Sequence, residues 1–94
     1  MYPRIRSLRE DNDFNQTMVA RVLDMSQTGY SKYETGENDV SPAVLIKLAY
    51  FYDTSIEYLL GLTDSRILPE RTPAQQKIYR KYRTAFHELS VKKR

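Results

Sequence analysis

The sequence predicts an all-α protein. Apolar residues recur at helical spacing along most of the chain, and several of these stretches open on a capping residue or close on glycine. No stretch alternates apolar and polar residues between turn signals, as a half-buried strand does. With 94 residues, 40% of them hydrophobic, there is room for one compact domain plus one further element.

The first helix follows Pro3, carries Ile5 and Leu8 on its inner side, and ends in the polar cluster Glu10-Asp11-Asn12-Asp13. Arg4, Arg6 and Arg9 are expected to extend outward. Asn15 is a good N-cap for a short second helix through Met18, Val19, Ala20, Val22 and Leu23, which breaks at Asp24. Ser26 caps a third helix, and Gly36 closes it by taking the left-handed conformation. Ser41-Pro42 opens a fourth, with Leu45, Leu48, Ala49 and Tyr52 as its core stripe. A brief fifth helix runs from Ser55 through Ile56, Leu59 and Leu60 to Gly61. Thr72-Pro73-Ala74-Gln75 is a capping box that opens a sixth, whose apolar stripe is Ile78, Tyr82, Ala85 and Leu89 with Phe86 beside them. The organisation read from this is a domain over 1–62, a linker over 63–72 containing Pro69, and an amphipathic basic helix and tail over 73–94.

Composition excludes several chemistries. Cysteine is absent and His87 is the one histidine, so disulfides, iron–sulfur clusters and the usual zinc spacings do not arise. His87 lies beside Glu88 without a nucleophile or orienting partner, and Asp11 and Asp13 lack a third ligand at metal-binding spacing. No glycine loop suited to phosphate is present. The expectation is a protein with no catalytic residues, no metal and no cofactor. The N-terminal region holds no apolar stretch of signal or membrane-spanning length, so a soluble, cytoplasmic protein with no membrane partner is expected. The net charge of +3 conceals an asymmetry: residues 1–65 hold six Lys/Arg and ten Asp/Glu, whereas residues 66–94 hold nine and two. The basic excess sits in the tail, on Lys77, Arg80, Lys81, Arg83, Lys92, Lys93 and Arg94 among others.

Residues 16–36 carry the functional pattern. Two short helices joined by a three-residue turn can set one helix in the major groove of DNA while the other braces it across the backbone. Ala20 is small where the helices must cross, and Tyr30 and Tyr33 fall on the inner face of the third helix. Gln27, Thr28, Ser31 and Lys32 share its outward face. Their chemistry suits base edges: glutamine pairs with adenine, lysine donates to guanine, and the threonine methyl touches thymine.

The ungapped stretch from Phe14 to Glu37 resembles the helix-turn-helix of the phage-repressor and Cro family, also called the xenobiotic-response-element type. The resemblance continues through Leu45-Ile-Lys-Leu-Ala49 and Ser55-Ile-Glu-Tyr-Leu-Leu-Gly61, covering about residues 4–62, and implies a five-helix lambda-repressor-like domain. It places the family's helix-two glutamine on Gln16, a brace for a DNA phosphate and for the recognition helix, and its recognition positions on Gln27, Thr28 and Lys32. Asn15 and Arg21 join Gln16 as phosphate-positioning candidates, and Lys77, Arg80, Lys81 and Arg83 could add contacts from the tail or simply form a solvated face. Glu34 matches a family glutamate and is read as structural, with an N-terminal arginine as partner, because phosphates repel a carboxylate. The sequence departs from the pattern where Asp24 and Asp53 replace turn glycines, and where Tyr50 and Tyr58 replace polar residues. Those tyrosines should point away from the domain core, to receive the sixth helix or to line a two-fold interface.

The implied function is sequence-specific binding of double-stranded DNA by a small transcriptional regulator, a repressor that reads a palindromic operator as a homodimer. The alternative is a protein-interaction module, such as an antitoxin or adaptor whose main partner is a protein, for instance a toxin. The acidic balance of residues 1–65 is the feature that favours it.

Overall fold

A computed structural model describes residues 2–65, 68 and 70–92, with Lys92 described by its backbone alone. Pro69, Lys93 and Arg94 lie outside the described residues. The described residues form six helices and no strand: α1 (Pro3–Asp11), α2 (Gln16–Val22), α3 (Gln27–Thr35), α4 (Pro42–Phe51), α5 (Ile56–Leu59) and α6 (Pro73–Lys92). The side chains of Asn15, Ser26, Ser41 and Ser55 each accept from the backbone N–H three residues on, starting α2, α3, α4 and α5 where the sequence places them. The capping box of α6 closes reciprocally, with Thr72 N donating to Gln75 Oε1 at 2.8 Å and Gln75 N to Thr72 Oγ1 at 3.2 Å.

The helix ends explain the aspartates. α1, α2 and α4 each stop at a residue followed by an aspartate in the left-handed region: Asp13 at φ 57°, Asp24 at 57° and Asp53 at 54°. In each case the next amide reaches back to the carbonyl five residues earlier: Phe14 to Arg9, Met25 to Ala20, Thr54 to Ala49. Gly61 does the same for α5, where Leu62 bonds to Glu57. These are Schellman closures, and aspartate fills the position that glycine usually takes because its short polar side chain tolerates the left-handed backbone.

The core is drawn from every helix. Ile5 and Leu8 of α1, Val19 and Ala20 of α2, Tyr30 of α3, Leu45 and Leu48 of α4 and Leu59 of α5 are buried. Phe51 is also fully buried, although the α4 stripe read from the sequence passes it over for Tyr52; both are inside. α6 folds back over α2 and α4. Its Phe86 ring meets Phe51 at 5.2 Å, Phe14 at 5.3 Å and Tyr52 at 6.3 Å between centroids, all edge-on. Arg83 Nη1 donates to the Phe51 carbonyl oxygen at 2.9 Å, satisfying an orphan acceptor at the end of α4.

Three expectations change. Ile78 stays 43% exposed, because the aromatic cluster that the α6 stripe packs on lies further along the helix. Arg4 and Arg9 turn inward: Arg4 donates to the Tyr58 and Thr63 carbonyls and to Asp64, and Arg9 binds Glu34. Tyr50 and Tyr58 are half-buried rather than free-standing, and arginines approach their rings: Arg4 lies 4.0 Å from the Tyr58 centroid and Arg71 5.9 Å from that of Tyr50. Arg71 also pairs with Asp53 at 2.8 Å and stacks on Tyr79, so both flanks of the 63–72 segment are tied to the helices.

Candidate nucleic-acid interface

The unit that presents α3 begins with Ala20, 2% exposed, whose small side chain lets α2 and α3 approach closely. Tyr30 is fully buried on the inner face of α3, and Tyr33 packs against the core beside it. The opposite face therefore points to solvent. Gln27, Thr28 and Lys32 are exposed and Ser31 is half-buried at its edge. Structure and sequence periodicity agree on which side of α3 is available.

A buried ion pair fixes this face. Arg9 Nε donates to Glu34 Oε2 at 2.7 Å and Arg9 Nη2 to Glu34 Oε1 at 2.9 Å, a bidentate arrangement, while Arg9 Nη1 donates to the Phe14 carbonyl at 3.0 Å. Burial by itself pushes the Glu34 carboxyl up, but the bonds from Arg9 and Gln16, with the Tyr30 hydroxyl nearby, outweigh it and hold the group below the ordinary carboxylate value. The pairing in turn raises the Arg9 guanidinium. Burial, with Tyr52 and Glu34 nearby, keeps the Tyr30 hydroxyl protonated.

The pair extends toward the surface. Gln16 Nε2 donates to Glu34 Oε1 at 3.1 Å, and Gln27 Nε2 donates to Gln16 Oε1. A continuous chain of hydrogen bonds thus runs from α1 through Arg9, Glu34 and Gln16 to Gln27 at the first turn of α3. An amide at Gln16 suits the middle of the relay, since it accepts with its oxygen while donating with its nitrogen; Gln27 needs only to donate.

The remaining predicted residues fall into two groups. Asn15 is exposed, with its Oδ1 accepting from Met18 N as the α2 cap, and Arg21 is exposed on α2. Lys77, Arg80 and Lys81 are exposed on α6, with Lys81 Nζ 5.4 Å from the Tyr82 ring centre. Arg83 is not in this group, because its guanidinium is held between the Phe51 carbonyl and the Phe86 ring. Sequence reasoning missed Arg9 as the specific partner of Glu34. The available signal was its position one residue after Leu8 and four after Ile5, at the edge of the buried face of α1. Four carboxylates of the acidic N-terminal portion, on Glu10, Glu34, Asp53 and Asp64, are paired with Arg6, Arg9, Arg71 and Arg4 among the described residues.

Among the described residues no three His, Asp or Glu side chains are grouped to hold a metal, and no helix is long and apolar enough to cross a membrane.

This arrangement defines a class. The chain belongs to the Helix-turn-helix family, of Cro/C1 type, which matches residues 5–59 and is a helical DNA-binding fold. It is similar to a Bacillus subtilis (strain 168) protein described as the uncharacterized HTH-type transcriptional regulator YobD, with 33% identity over 61 residues that make up 65% of this chain and 54% of that protein. It is also 27% identical over 67 residues, 71% of its length, to the HTH-type transcriptional regulator PrpR of Mycobacterium tuberculosis (strain ATCC 25618 / H37Rv), of which the match spans 14%. The chain therefore covers about half of the first relative and a small part of the second. No solved structure matches it.

Proposed function

We propose that the protein binds double-stranded DNA sequence-specifically and regulates transcription, acting as a repressor by occupying its operator. α3 enters the major groove with Gln27, Thr28, Ser31 and Lys32 toward the base edges. Gln16, Asn15 and Arg21 on α2 position the unit on the phosphates, and Lys77, Arg80 and Lys81 add charge from α6. The observation that carries this reading is the exposed polar face of α3, with Gln27 bonded to Gln16 and through it to the buried Arg9–Glu34 pair. A site preorganised in this way loses less side-chain freedom on binding. The family match and the two regulators similar to the chain support the same conclusion.

One such domain covers a small DNA surface, so the protein acts as a homodimer on two half-sites about 34 Å apart. Selection of binding sites from random duplex DNA at near-physiological salt tests this directly. An enriched palindrome is the expected result. Folded protein that enriches no sequence would overturn the proposal and favour a protein partner.

A further inference from the structure

α2 supplies Gln16 to the relay, and α6 packs against α2 and against Phe14 just before it. Before α2 starts, Phe86 packs edge-on against Phe14, whose carbonyl also accepts from Arg9. One turn earlier on the same face of α6, Tyr82 is 7% exposed within the core. Arg83, between them, fastens α6 to the end of α4. None of these three side chains is on the exposed face of α3, and Phe86 and Tyr82 are wholly or partly buried in the core.

We propose that α6 sets the placement of the DNA-reading pair by packing on α2 and on the residue that leads into it, which makes Phe86 and Tyr82 positioning residues for Gln16 and Gln27. The inference rests on the DNA-binding reading above but concerns residues that touch no DNA. A change in the packing at Phe14 moves α2 as a unit, because close-packed elements shift between discrete arrangements rather than deforming smoothly. Loosening α6 then lowers DNA affinity without touching the interface.

The experiment uses the full chain with Phe86→Ala, the conservative Phe86→Leu, and the triple variant Lys77→Gln, Arg80→Gln, Lys81→Gln. Affinity for the selected site is measured across a salt series, alongside hydrogen exchange at α2 and α3 amides. Phe86→Ala is expected to weaken specific binding about tenfold with an unchanged salt slope and faster exchange in α2, and Phe86→Leu to restore most of both. The triple variant should alter the slope and leave α2 exchange as it was. Folded Phe86→Ala that binds and exchanges like the parent overturns the proposal, and should that variant not fold, a folded Tyr82→Ala that binds and exchanges like the parent does so. If the parent selects no DNA site, the DNA-binding reading is what fails; α2 exchange then decides alone whether α6 holds α2.

Discussion

At the scale of single residues, Glu34 determines what α3 can do. It sits next to the face proposed to meet DNA, yet its charge is fully engaged by Arg9 and its side chain is only 3% exposed. Removing the carboxylate leaves the half-buried Arg9 guanidinium without its counter-charge. Glu34→Gln should therefore cost about 1–3 kcal/mol in urea denaturation, more than a surface substitution. The carboxyl is held below its ordinary value, so its contribution is present above the unfolded value, about 4.3, and is lost as pH falls through the lower folded one. The parent should lose stability steeply below about pH 4, and Glu34→Gln should lose less over the same range. The sequence was readable here in part: the repulsion between a carboxylate and phosphates identified Glu34 as structural. Choosing among Arg4, Arg6 and Arg9 needed the direction each takes from α1, which helical spacing gives only as a position on the face.

At the scale of the element, the helix ends carried the most readable information. Asn15, Ser26, Ser41, Ser55 and Thr72 all cap as their residue types imply. Asp24 and Asp53 stood out as departures from a glycine pattern, and the structure shows the shared reason, which extends to Asp13: a left-handed residue closes a Schellman turn. Asp24→Gly should accordingly change stability by less than about 1 kcal/mol, whereas Asp24→Val should cost more, because a β-branched side chain is strained at φ 57°. Comparing the two by urea denaturation checks whether the backbone, rather than the side chain, is what the position demands. Ser26→Ala should cost about 1 kcal/mol through loss of the bond to Gly29 N. The run Tyr50-Phe51-Tyr52 was less readable, because three adjacent aromatics satisfy any helical phase and only tertiary packing decides that Phe51 and Tyr52 go inside.

At the scale of the whole molecule, the sequence showed that α6 is amphipathic but not what it covers. Its stripe could fit the domain, a second copy or another protein equally well by periodicity. Packing resolves this through Phe86, which completes an aromatic cluster with Phe14, Phe51 and Tyr52. Charge follows from the same placement. Arg83 is drawn into the fold, while Lys77, Arg80 and Lys81 remain on the outer side, so they are the tail cations proposed to reach phosphate. Neutralising those three should lower affinity on all sequences alike and reduce the salt slope by about 1 for each lost contact.

The central claim is that the outward face of α3 chooses the sequence, and it is tested by repeating the site selection with Gln27→Ala and with Lys32→Ala beside the parent. Each variant should fold with unchanged helix content and lose about 1–3 kcal/mol of discrimination at particular base pairs, so that its enriched motif relaxes at defined positions of each half-site. Recovery of the parent motif, unaltered, by both variants would contradict the account and assign sequence reading to another surface.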